Sequence, residues 1–130
     1  MLIHKYLLII LILFFVSPAA FAQSDTVRQL DAPQFNRILH LNSKARCIDV
    51  RLHKAFLKEH IKGAYSAETS DILFHLIDSL GTDKVYLLYC KYGERSLMAG
   101  KLIYKKRGIH VLSMEYGLDD WKASGFTLVK

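Results

Sequence analysis

Five consecutive residues, Val85-Tyr86-Leu87-Leu88-Tyr89, are apolar or aromatic and run directly into Cys90. A strand without polar alternation has no face to offer to water, which is the condition of a central strand in a parallel sheet. Parallel neighbours must be joined by long crossovers, usually helices. The chain supplies them on both sides. Before the strand, Ser70 caps a segment running to Leu80, with Ile72, Leu73, Leu76, Ile77 and Leu80 as a buried stripe at helical spacing and Gly81 as its terminator. After it, Lys91–Arg95 form a tight loop, and a helix is expected from Ser96 to Arg107, with Gly108 beyond and Met98 and Leu102 on its core side. This strand-helix alternation predicts an α/β domain built on a largely parallel sheet.

The remaining segments fit that frame. Val27–Leu30, Cys47–Val50 and His110–Met114 read as strands, and Gly63-Ala64-Tyr65 opens another extended stretch. Asp31 offers a helix N-cap with Pro33 in the first turn, and Phe35, Ile38 and Leu39 share one face. His53–Glu59 reads as a short helix, and Gly117–Ser124 as a turn and short helix whose Trp121 belongs to the core. With 130 residues, 52% of them hydrophobic, the chain suits one core rather than two.

The segment 1–22 reads as a signal peptide. His4 and Lys5 precede an unbroken apolar run from Leu7 to Val16, Ser17-Pro18 breaks it, and Ala20-Phe21-Ala22 is a small-x-small cleavage site. The run is shorter than the roughly 20 residues that span a bilayer. An exported protein, periplasmic or secreted, is therefore expected, without stable membrane association after cleavage; an uncleaved anchor is the alternative. The formal charge of +6 comes from scattered lysines and arginines with no aromatic stripe among them, which argues against nucleic-acid binding. A basic surface still concentrates small anions.

Two cysteines, Cys47 and Cys90, are too few for a disulfide scaffold, and no Cys-x-x-Cys is present. Cys47 lies inside its strand and reads as a small core hydrophobe, so a redox pair with Cys90 is disfavoured. Cys90 closes a strand and opens the loop Cys90-Lys91-Tyr92-Gly93-Glu94-Arg95-Ser96. Loop amides without partners can converge into an anion-binding nest, and the following helix adds the positive end of its dipole. Lys91 and Arg95 add formal charge, and Gly93 permits the backbone curl. Such surroundings favour a nucleophilic thiolate. His40, His53, His60, His75 and His110 show no metal-ligand spacing, so neither metal nor other cofactor is expected.

Four stretches follow in order: Ile48-Asp49-Val50-Arg51, His60-Ile61-Lys62-Gly63-Ala64, Tyr89-Cys90-Lys91-Tyr92-Gly93-Glu94-Arg95-Ser96 and Gly117-Leu118-Asp119-Asp120-Trp121. Together they resemble the successive motifs of single-domain rhodaneses, the thiosulfate-type sulfurtransferases, over roughly Asp25 to Lys130. The resemblance implies a rhodanese-like domain over residues 23–130, a three-layer sandwich with a five-stranded parallel sheet flanked by helices. It implies that Cys90 takes sulfane sulfur from a small donor such as thiosulfate as a persulfide and passes it to cyanide or a thiol. In that scheme the amides of Lys91, Tyr92, Gly93, Glu94, Arg95 and Ser96 cradle the sulfur, and Arg95 orders the loop. Asp49 and Arg51 brace it, and His60 is a structural position near the site. The Cys-x4-Arg spacing matches the small cradle of sulfurtransferases, whereas related phosphatases and arsenate reductases use Cys-x5-Arg. Glu94, Leu52 and Lys62 depart from the family's usual residues, Glu94 by bringing negative charge to the loop. A monomer is expected, and a protein sulfur acceptor is a further partner class. The alternative on the same fold is a non-catalytic sulfur-carrier or interaction module.

Overall fold

The computed structural model describes residues 26–130; the signal peptide expected over residues 1–22 lies outside the described residues. Five strands, β1 (Val27–Leu30), β2 (Ala45–Asp49), β3 (Tyr65–Ser66), β4 (Val85–Tyr89) and β5 (Val111–Met114), form one sheet in the order β1-β5-β4-β2-β3. Every pairing in it is parallel. The apolar run β4 takes the central place, and Tyr86, Leu87, Leu88 and Tyr89 are all wholly buried. Hydrogen bonding on both edges and side-chain packing on both faces leave those four residues no contact with water, while Val85 at the strand's start is half-buried.

The helices are α1 (Ala32–Leu41), α2 (His53–Lys58), α3 (Ser70–Leu80), α4 (Glu94–Arg107) and α5 (Gly117–Ala123). Strand alternation sorts the core into two clusters. Tyr86, Leu88 and Cys90 face one side with Ile48 and Val50, under Leu73 and Ile77 of α3 and Ile103 of α4. Leu87 and Tyr89 face the other side with Cys47, under Phe35 of α1 and Leu118 and Trp121 of α5. Phe35 meets both Tyr89 and Trp121 edge-on with ring centroids 6.4 Å apart. The result is a three-layer sandwich with helices on both faces, as expected.

Helix ends follow local chemistry, with some differences from the sequence reading. Asp31 caps α1 through a reciprocal capping box with Gln34, its carboxylate accepting from the Gln34 amide at 2.8 Å. The cap of α3 is Thr69 rather than Ser70: its hydroxyl accepts from the Ile72 amide at 3.3 Å, and Ser70 is the first helical residue. That phase turns Ile72 outward, 46% exposed, while Leu73 and Ile77 carry the burial. In α4 the residues against the sheet are Ser96, Gly100 and Ile103. A Cβ on Gly100 would lie 2.8 Å from Cγ2 of both Val27 and Val111, so the helix approaches the sheet there at backbone distance. Met98, expected in the core, is consequently 65% exposed, and Leu102 is half-buried.

From β2 the chain steps outward to β3, then returns past β2 to β4 and on to β5. The sheet's direction of growth reverses between β2 and β4. Open parallel sheets bind ligands outside the strand carboxyl ends at such a switch point. Asp49 ends β2 there, and Cys90 follows β4 there.

Candidate active site

The loop after β4 is short because α4 begins at Glu94, two residues earlier than expected. Gly93 is its N-cap, with φ at 99°, in the left-handed region that L side chains avoid. Space forbids a side chain there as well, since a Cβ would fall 1.8 Å from the Glu115 carbonyl oxygen. The loop is thus pressed onto the turn that joins β5 to α5. That turn holds it in return: the Leu118 amide donates to the Cys90 carbonyl at 2.9 Å and the Asp119 amide to the Lys91 carbonyl at 3.3 Å. Gly117 at the same turn has φ 66°, and a Cβ on it would sit 2.3 Å from the Lys91 oxygen.

With those carbonyls held by α5, amides are left for Cys90. The Gly93 amide donates to Sγ at 3.2 Å and the Ser96 amide at 3.4 Å. Ser96 is in the first turn of a 14-residue helix, so its amide is one that has no acceptor within the helix. Ser96 Oγ lies 3.6 Å from Sγ, donates to the Gly93 carbonyl at 3.1 Å and meets Ser113 Oγ at 2.7 Å. Two amides and the positive helix end therefore converge on one sulfur, an arrangement suited to a charge developing there.

Cys90 is buried, but its surroundings open into a cavity of about 200 Å³ bordered by Arg51, Lys91, Tyr92, Glu94 and Arg95. Glu94 is exposed in the first turn of α4, where a carboxylate suits the dipole. Lys91 turns its ammonium over the Tyr92 ring, 4.9 Å from the centroid, and its interaction with Tyr92 raises its pKa. Arg95 forms no ion pair among the described residues. Instead of tying the loop together, its exposed side chain borders the cavity.

Asp49 and Arg51 form a buried ion pair near the site. The wholly buried carboxylate accepts from Arg51 Nη2 at 2.6 Å and from Nε at 3.0 Å, and it also accepts the Arg51 amide at 2.9 Å. Arg51 Nη2 donates further to the Glu59 carbonyl at 2.7 Å. Burial alone would lower the Arg51 pKa, but the hydrogen bond and charge of Asp49 outweigh it and keep the guanidinium charged. The pair fastens the end of β2 to the end of α2 and presents Arg51 to the Cys90 cavity. Its hydrogen bonds do not reach the Cys90 loop itself. His60 stays outside that cavity: its Nδ1 lies 2.8 Å from the Phe56 carbonyl, and its ring stacks on Phe56 at 3.8 Å.

Cys47 is a free thiol on the opposite face of the sheet from Cys90. Burial and then the Asp49 charge push its pKa well up, which keeps it protonated and inert. Ser113 is the site residue the sequence reading missed. Its signal was a lone hydroxyl in the apolar strand Val111–Met114, in register with Leu88 of β4. The support from Leu118 and Asp119 is made by backbone amides and leaves no mark on residue type.

Comparison with known proteins agrees with this architecture. Residues 31–124 match the rhodanese-like domain family. Over 90 residues the chain is 33% identical to the tRNA sulfurtransferase of Pyrobaculum aerophilum, covering 69% of this chain but only 18% of that protein's length. A rhodanese-related protein from Thermoplasma volcanium superposes with a TM-score of 0.66 at 22% identity, over 78% of this chain and 97% of the other. The thiosulfate sulfurtransferase of Pseudomonas aeruginosa superposes with a TM-score of 0.69 at 17% identity, over 79% of this chain and 20% of the other. The chain belongs to the rhodanese-like domain family.

Proposed function

We propose that this protein is an exported sulfurtransferase that carries sulfane sulfur on Cys90. The observation that carries the reading is the convergence of the Gly93 and Ser96 amides on Sγ at the positive end of α4. Family membership and the sulfurtransferase relative support it. With thiosulfate as donor, the Cys90 thiolate attacks the outer sulfur. A new S–S bond forms, the bond to the oxidised sulfur breaks, and sulfite leaves with the electron pair. The persulfide then holds its negative charge beside the loop amides, with Arg51, Lys91 and Arg95 bordering the same cavity. Cyanide or a thiolate attacks the outer sulfur in turn, giving thiocyanate or a new persulfide and restoring the thiolate. No proton or electron need be supplied from outside. Export rests on the segment 1–22.

The test is cyanolysis with thiosulfate as donor, comparing the wild-type chain with Cys90→Ser. Thiocyanate is expected from the wild type and none above background from the variant. Equal rates in the two would remove Cys90 from the mechanism.

A further inference from the structure

The lysines and arginines that lie scattered along the sequence are sorted by the fold along the strand axis. Because every strand pairing is parallel, the first residues of the strands share one edge of the sheet, and the crossover helices α1, α3 and α4 end at that same edge. Lys44 and Lys84, each one residue before its strand, meet there, the Lys44 carbonyl accepting from the Val85 amide at 3.0 Å. Arg46 turns back to the same edge and donates to the Ser43 carbonyl at 3.1 Å. Lys105, Lys106 and Arg107 end α4. Against these cations stand only Asp78 and Asp83 among the described residues, the first paired with Arg107 at 2.9 Å and the second with Lys84 at 3.6 Å. Asp31, Asp71, Glu94, Glu115 and Asp119 all lie at the opposite edge, where strands end and helices begin. Lys44, Lys105 and Lys106 are exposed and form no ion pair among the described residues.

Two further features say what this edge meets. Leu41, the last residue of α1, is 75% exposed, an apolar tip among the cations. Residues 1–25 join the described chain at Thr26, directly before β1, so the apolar run Leu7–Val16 is tethered to this edge of the sheet. The tether, residues 17–25, reaches at most about 30 Å. While that run sits in a bilayer, the basic edge is held close to the lipid surface. Ammonium groups suit lipid phosphates, and an exposed leucine gains free energy where the partner has an apolar layer beneath its charge. We propose that this edge is a docking face for the surface of an anionic phospholipid bilayer, with Leu41 reaching into the headgroup layer. The contact is peripheral and reversible, and it persists after removal of segment 1–22. The Cys90 cavity lies at the opposite edge, separated from the face by the length of β4, roughly 15 Å. The docked protein therefore keeps that cavity open to water, whatever chemistry Cys90 performs.

The experiment is cosedimentation of the exported protein, its N-terminus defined by intact mass, with two kinds of vesicle. One is phosphatidylcholine alone, and the other is phosphatidylcholine and phosphatidylglycerol in equal parts. The ratio of the two affinities cancels whatever a retained N-terminal segment contributes to both. At about 0.1 M salt the anionic vesicles are expected to bind about tenfold more tightly or better, and the preference is expected to vanish toward about 1 M salt. Lys105→Gln is expected to lower the ratio about fivefold, and adding Lys106→Gln about fivefold more. Lys54→Gln, which removes one charge at the opposite edge, is expected to leave it unchanged. Leu41→Ser is expected to weaken binding to the anionic vesicles about tenfold. All four side chains are exposed, so the variants are expected to fold, which circular dichroism checks. Equal affinity for the two vesicles overturns the proposal, as does an equal fall in Lys105→Gln and Lys54→Gln. Binding to a double-stranded oligonucleotide that is tighter than to anionic vesicles and indifferent to Leu41→Ser would assign the face to nucleic acid and also overturn it.

Discussion

The hydroxyl oxygens of Ser96 and Ser113 lie 2.7 Å apart, both wholly buried, and through them strand β5 reaches the sulfur of Cys90. Ser96 has a single proton and gives it to the Gly93 carbonyl, so Ser113 is assigned as the donor between the two. Ser96 thus links the loop glycine, the sulfur and the sheet. Ser113→Ala is expected to cost about 1 kcal/mol, the usual net value of one hydrogen bond. Ser96→Ala loses its bonds to both Gly93 and Ser113 and is expected to cost more, with a larger drop in cyanolysis rate. Urea denaturation and cyanolysis on the same two variants check this order.

Asp49 is a wholly buried carboxylate that depends on Arg51 for its charge partner. Removing one member of a buried pair strands the other, at about 3–5 kcal/mol. Asp49→Ala and Arg51→Ala are each expected to destabilise by that order in urea denaturation. The double variant is expected to cost clearly less than the two added together, because the groups share one interaction. Additive losses would mean that the pair is not coupled.

Gly93→Ala meets two obstacles, a φ of 99° and the Glu115 oxygen at 1.8 Å from the new Cβ. The loop must move, and the Gly93 and Ser96 amides move with it. Loss of cyanolysis is expected even in the fraction that remains folded. Gly63→Ala is the control: it shares a positive φ of 82°, but its Cβ would have nothing within 4 Å, so it pays backbone strain without a clash and is expected to keep its activity.

Much of this could be read from the sequence, and the exceptions have physical reasons. The apolar run of β4 announced its central place because a strand buried on both faces has no polar alternation to hide. The strand end at Cys90 and the glycine after it marked the loop. The apolar character of Met98 suggests a sheet-facing side chain, whereas Gly100, with no side chain, lets α4 rest on the sheet and turns Met98 away. Thr69 and Ser70 are adjacent hydroxyl residues, and only the geometry decides which one caps α3. Arg95 could be found as a residue but not as a border of the Cys90 cavity, because that role depends on how the loop folds.

Alkaline pH separates the buried thiol and phenol. Burial, then the Asp49 charge, raises the pKa of Cys47, and the same causes raise that of Tyr89, whose Oη accepts the Ile61 amide at 3.1 Å. Below their unfolded values of about 8.5 and 10, both states keep the protons and stability is unaffected. Above them the unfolded chain releases protons that the folded chain retains, so each group lowers stability by about 1.4 kcal/mol per pH unit. Relative to wild type, Cys47→Ala is expected to flatten the loss from about pH 8.5 upward, and Tyr89→Phe only from about pH 10. Urea midpoints across that range check it; curves parallel to the wild type's would show that these groups titrate alike in both states.

The most direct measurement is the intact mass of the protein after incubation with thiosulfate, followed by peptide mapping. The account predicts one added sulfur, carried by the peptide containing Cys90 and removed by cyanide. An unchanged mass, or an added sulfur that maps to Cys47, would contradict it.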